Sequence, residues 1–156
     1  MKSIGWLAAA LMMVSSAPVA IGQAGVAAPV VDRYEPRRTD IRSATRLRHT
    51  ELWFAGESKN WDLAAYELRQ LKAGLTEAAL MYPGVPVSGI TTMSAPIQDI
   101  AHSIAEKNVG KFKSSFANLT SGCTACHQSV GLGFIAMRVP TTSPFSNQVV
   151  SPQRQP

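Results

Sequence analysis

Cys123-Thr124-Ala125-Cys126-His127 is the run in this chain whose residue types and spacing spell out a chemistry most directly. Two thiols one helical turn apart are placed to form thioethers with the two vinyl groups on one edge of a porphyrin. The histidine that follows directly is then carried under the ring centre, where it binds iron as the proximal ligand. The run is therefore Cys-x-x-Cys-His, the attachment signature of haem c, and it predicts one covalently held haem on Cys123 and Cys126 with His127 on the metal. Other uses of the same residues fit less well. A thioredoxin-type dithiol needs a βαβ setting, and nothing in the chain reads convincingly as a strand. A zinc site needs a fourth ligand and usually a second Cys/His pair, yet the remaining histidines are His49 and His102. A disulfide within one helical turn is strained and leaves His127 without a role.

The elements that must position these residues are legible from periodicity. Ile41, Thr45, His49 and Leu52 recur on one face of a first helix over 39–55, with Gly56 as its expected stop. Asn60 is placed to cap a second helix whose seam is Trp61, Ala64, Leu68, Leu71, Leu75, Ala78 and Tyr82, and Pro83, Gly84 and Pro86 end it. Ser94 and Pro96 open a third, carrying Ile97, Ile100 and Ile104 inward until Asn108 and Gly110 interrupt it. A fourth carries Phe112, Phe116, Leu119, Cys123, Cys126 and Val130 at alternating steps of four and three. Four amphipathic segments with short connections predict an all-α, up-down-up-down four-helix bundle over 39–130. An irregular tail over 131–156 follows, with apolar residues able to fold back and a last stretch expected to be loose.

The chain has 156 residues, 46% of them hydrophobic and 16% charged, which suits one ordered domain. Met1 and Lys2 lead into eleven apolar residues, Ile4 to Val14, and then a small-residue stretch ending in Pro18, Val19 and Ala20. That order is a secretory signal over 1–24, cut after Ala20 or Ala24, followed by a flexible leader over 25–38. Eleven residues fall short of the roughly 20 that a membrane-spanning helix needs, so no permanent membrane anchor is expected and the mature protein is expected to be periplasmic. The net charge of +5 is concentrated in Arg33, Arg37, Arg38, Arg42, Arg46 and Arg48. This favours an acidic protein partner or an anionic cofactor group over nucleic acid.

A haem motif so close to the end of the last helix, with only 29 residues after it, resembles the cytochrome c-prime family, the class II c-type cytochromes, over about residues 39–130. The stretches Leu52-Trp53-Phe54-Ala55-Gly56, Asn60-Trp61 and Pro144-Phe145-Ser146-Asn147-Gln148 also look like a less characterised group of exported helical haem proteins. The first resemblance implies a four-helix haem protein, often dimeric through its first two helices, with a helix-one distal position that is commonly apolar or Met. His49 at that position departs from the pattern. Its face on helix one turns it toward the haem end of the bundle as the candidate distal iron ligand, which would make the haem six-coordinate and suited to electron transfer; the alternatives are a histidine in solvent among Arg46, Arg48 and Glu51, or a satisfied buried one. Met81 and Met93 are runner-up ligands, Met137 follows too closely to serve, and His102 is expected at the surface. Tyr82, Phe116 and Leu119 are expected to wall the pocket and Trp53 and Trp61 to anchor packing, while Arg42 and Arg46 are either candidates to meet the haem propionates or solvated surface charges. Gly122 hints at a close backbone approach, with the porphyrin edge as candidate. The expected function is an electron carrier rather than an enzyme, since no paired carboxylates or activated nucleophile stand out. Binding of nitric oxide or carbon monoxide at an open distal site, or service as the haem subunit of a larger redox enzyme, are the alternatives.

Overall fold

Two lysine–asparagine pairs build the connections that fold this chain. At the end of the first helix Lys59 turns into the left-handed region (φ 59°), Lys59 N–H donates to the Gly56 carbonyl and Asn60 N–H to that of Ala55. Lys107 (φ 53°) and Asn108 repeat the pattern on Ile104 and Ser103. These are Schellman closures, which satisfy carbonyls that a helix end leaves unpaired. Each asparagine then starts the next helix, Asn60 Oδ1 accepting from Leu63 N–H (3.2 Å) and Asn108 Oδ1 from Lys111 N–H (3.0 Å). The same four-residue logic thus produces two helical hairpins.

The computed structural model describes residues 38–82, 84 and 91–153. The expected signal peptide and most of the leader lie outside the described residues. Four helices form the described structure: α1 Arg38–Glu57, α2 Trp61–Met81, α3 Ser94–Ala105 and α4 Val109–Ser129. The protein is all-α. α1 packs along α2 and α3 along α4, while contacts of α2 with α3 and of α1 with α4 close the ring of a four-helix bundle. Among the described residues no helix is long and apolar enough to cross a membrane.

The core lies where the periodicity places it, with Leu52, Ala64, Leu68, Ile100, Ile104, Phe112, Phe116 and Leu119 buried. Trp53 stacks near Phe112 and tilts against Phe116 (centroids 6.2 and 4.9 Å), and Trp61 meets the Phe112 ring edge-on at 6.1 Å. Both tryptophans are packing anchors. Gly56 does not stop α1, which runs to Glu57; it admits Phe112, because a Cβ at residue 56 would fall inside that ring. The stop is the left-handed Lys59.

α4 ends in a third closure of the same type. Gly131 (φ 75°) donates its N–H to Gln128, and Leu132 donates to the His127 carbonyl at 2.8 Å. Here the turn reverses the chain, and the tail runs back over the bundle. Met137 N–H donates to Thr124 Oγ1 (3.0 Å), Val139 packs on the core, and Asn60 Nδ2 donates to the carbonyl of Val150 (3.1 Å) at the opposite end. The tail is irregular as expected, but the stretch expected to be loose is held as far as residues 150 and 151 by Asn60.

Candidate functional site

The cavity opens at the end of the bundle where α1 begins and α2 and α4 end. It has a volume of about 550 Å³ and a largely apolar lining, within the size range of small-molecule and cofactor sites. α4 supplies Cys123, Cys126 and His127; α1 supplies Ile41, Arg42, Arg46 and His49; α2 supplies Leu71, Leu75 and Ala78, with Tyr82 just beyond. Met93 enters from the start of α3, and the reversed tail adds Leu132, Phe134, Ile135 and Met137. Residues far apart in the chain converge here because the up-down topology brings these four helix ends together.

His127 is held by its backbone surroundings. Its Nδ1 lies 2.7 Å from the Ile135 carbonyl, which can only accept, so Nδ1 carries the proton and the lone pair is left on Nε2. That carbonyl is in place because Gly131 turns the chain and Ile135 N–H closes a further turn onto Leu132 (2.8 Å). Cys123 and Cys126 are free thiols, half-buried on the same wall. Burial in the apolar cavity, with the neighbouring Cys126 adding to it, pushes the Cys123 thiol up to about 11, and burial raises Cys126 as well. Both are therefore protonated at neutral pH, unlike the low-pKa thiolates of redox enzymes.

His49 faces inward as its helical position predicts, 2% exposed, and not into the surrounding Arg46, Arg48 and Glu51. Its Nε2 lies 2.9 Å from Thr120 Oγ1 and its ring sits 4.5 Å from that of Phe116. Burial lowers its pKa to about 4, so the ring is neutral at pH 7. Arg42 and Arg46 line the mouth among Thr39, Ser43 and Thr45, a polar rim on an apolar chamber. Among the described residues no three His, Cys, Asp or Glu side chains converge as a metal-binding set.

Several expectations are corrected here. Phe116 and Leu119 do not wall the cavity; they are fully buried in the core below it, Phe116 reaching the site through its contact with His49. The wall is Ile41, Leu71, Leu75 and the tail, together with Tyr82. Gly122 admits the Met93 thioether, which would stand 3.0 Å from a Cβ there. Met93 is thus buried packing at the cavity edge and Met81 is exposed, whereas His102 lies at the surface as expected.

Sequence periodicity also missed a charge cluster between α1 and α2 beside His49, with two buried carboxyls. Arg48 Nη1 contacts Glu51 at 2.9 Å and Glu67 at 3.3 Å, and Glu67 is 1% exposed. Burial, reinforced by Glu51, raises the Glu67 carboxyl to about 7. Burial alone would lower the Arg48 pKa, but Glu67 and Glu51 outweigh it and raise it. The signal available in the sequence was position, since Glu67 sits beside Leu68 on the inward seam.

Comparison with protein-family models, curated proteins and solved structures gave no match to this chain.

Proposed function

We propose that this chain is an exported, single-haem c-type cytochrome, similar in architecture to the class II cytochromes, that carries one electron at a time between redox partners in the periplasm. The observation that carries the reading is His127: its Nδ1–H is bound to the Ile135 carbonyl, its Nε2 lone pair is left for a metal, and it shares a cavity wall with two free thiols one turn apart. A backbone carbonyl on the far nitrogen is the usual device that fixes the tautomer and orientation of a metal-binding histidine. The apolar lining, the thiol spacing and a second neutral histidine in the same cavity fit haem c. When bound, the haem supplies the ferric–ferrous couple.

The chain's own residues would do the rest. Cys123 and Cys126 would retain the group through thioethers, and His127 and His49 would be its iron ligands. Leu71, Leu75 and Ile135 exclude water, which sets the potential through a low local dielectric. Arg42 and Arg46 stand at the rim to pair with propionates.

One feature favours a second reading, reversible binding of nitric oxide or carbon monoxide at an open distal position. His49 Nε2, the nitrogen histidine commonly offers to iron, is engaged by Thr120. The optical spectrum separates the readings. The full chain, co-expressed with a cytochrome maturation system, is expected to carry covalent haem with sharp low-spin bands that carbon monoxide does not move, and His49→Ala is expected to abolish that signature. High-spin bands that shift with carbon monoxide would support gas binding. Absence of covalent haem would remove both.

A further inference from the structure

We infer that Thr120 fixes His49 as the tautomer protonated on Nε2, so that the nitrogen His49 would offer a bound haem iron is Nδ1, where His127 would offer Nε2. The inference rests on the haem reading above and deepens it by naming the coordinating atom and the residue that selects it.

Thr120 Oγ1 lies 2.8 Å from the Phe116 carbonyl one turn earlier in α4, to which the hydroxyl donates. A threonine hydroxyl has a single hydrogen, so toward any second partner the oxygen can only accept. That second partner is His49 Nε2 at 2.9 Å, which must therefore carry the proton. A neutral imidazole has one N–H and one lone pair, which leaves the lone pair on Nδ1. The ring has little freedom to exchange its nitrogens, since it is 2% exposed and packed against Phe116 at 4.5 Å. Presenting Nε2 to the cavity would break the Thr120 bond.

The two histidines are thus set by opposite rules. His127 gives its Nδ1 proton to a carbonyl of the tail and keeps Nε2 free, whereas His49 gives its Nε2 proton to a hydroxyl of α4 and keeps Nδ1 free. Thr120 is a positioning residue, and it ties His49 to the helix that carries Cys123 and Cys126. Its loss is expected to loosen both the tautomer and the sixth bond.

Nuclear magnetic resonance of the full, haem-bearing chain labelled with ¹⁵N-histidine, in the ferrous low-spin state, tests this. The His49 ring proton is expected to correlate with Nε2. Thr120→Val is expected to speed exchange of the Nε2 proton about tenfold, the worth of one such hydrogen bond, and to let carbon monoxide displace the sixth ligand. Thr120→Ser is expected to restore the natural behaviour, a rescue that a purely structural role in packing the methyl group would not give. A ring proton on Nδ1 in the natural protein, or a proton exchange rate unmoved in Thr120→Val, overturns the inference while leaving the cytochrome reading in place. A chain that takes up no haem overturns that reading, and the ligand assignment with it.

Discussion

At the scale of single residues, burial decides which groups titrate and which packing is tolerated. Glu67 is the clearest case, a carboxyl enclosed between α1 and α2 and raised to about 7 by burial, with Glu51 beside it. Its folded pKa lies above its unfolded value of 4.5, so the folded state holds the proton more tightly. The stabilisation from that proton is complete below pH 4.5 and is lost as pH rises through 7, an effect of about 3 kcal/mol. Glu67→Gln is expected to flatten this slope, which urea unfolding at pH 5 and pH 8 measures; an unchanged slope would place the titration elsewhere. Gly56 makes a packing claim of the same kind. Gly56→Ala drives a methyl into the Phe112 ring and is expected to cost about 1–3 kcal/mol in thermal unfolding, where an ordinary exposed glycine in a helix would gain from the change.

At the scale of elements, three Schellman closures do different work with the same geometry. Lys59 and Lys107 make hairpins, and Gly131 brings Ile135 to His127. A lysine in the left-handed region costs roughly 1 kcal/mol relative to glycine, so Lys107→Gly is expected to raise stability by about that amount, read from the denaturant midpoint. Helix existence and helix faces were legible in the sequence because a buried stripe recurs with the helical period, and Ile41, Leu68, Ile100 and Phe112 all face inward as that rule requires. Helix ends were less legible. Gly56 has the composition of a stop, but a glycine is also what a close-packed ring demands, and periodicity within one helix carries no information about Phe112, which is distant in sequence.

At the scale of the whole molecule, the up-down topology gathers four helix ends around one cavity, and the tail then closes it. Phe134, 82% exposed, stands at the rim with Arg42 and Arg46, an apolar contact beside positive charge. With a net charge of +5, association with an acidic redox partner is expected to slow as salt rises from about 10 mM to 150 mM, where the screening length falls from about 30 Å to 8 Å. Stopped-flow electron transfer to an acidic acceptor protein measures this, and a rate indifferent to ionic strength would remove charge steering from the proposal.

The sequence by itself determined the helical class, the inward faces and the expected attachment residues Cys123, Cys126 and His127, because each is set by spacing within a few turns of one segment. It also placed His49 on the inward face of its helix. Only the tertiary structure decided what each ring nitrogen meets, since the Ile135 carbonyl and the Thr120 hydroxyl come from a reversed tail and a separate helix. It likewise moved Phe116 and Leu119 from the cavity wall to the core and buried Glu51 and Glu67, because depth along a bundle depends on how four helices are staggered. Local periodicity fixes a residue's direction from its own axis, and the partner it meets there is set by chain that the pattern does not contain.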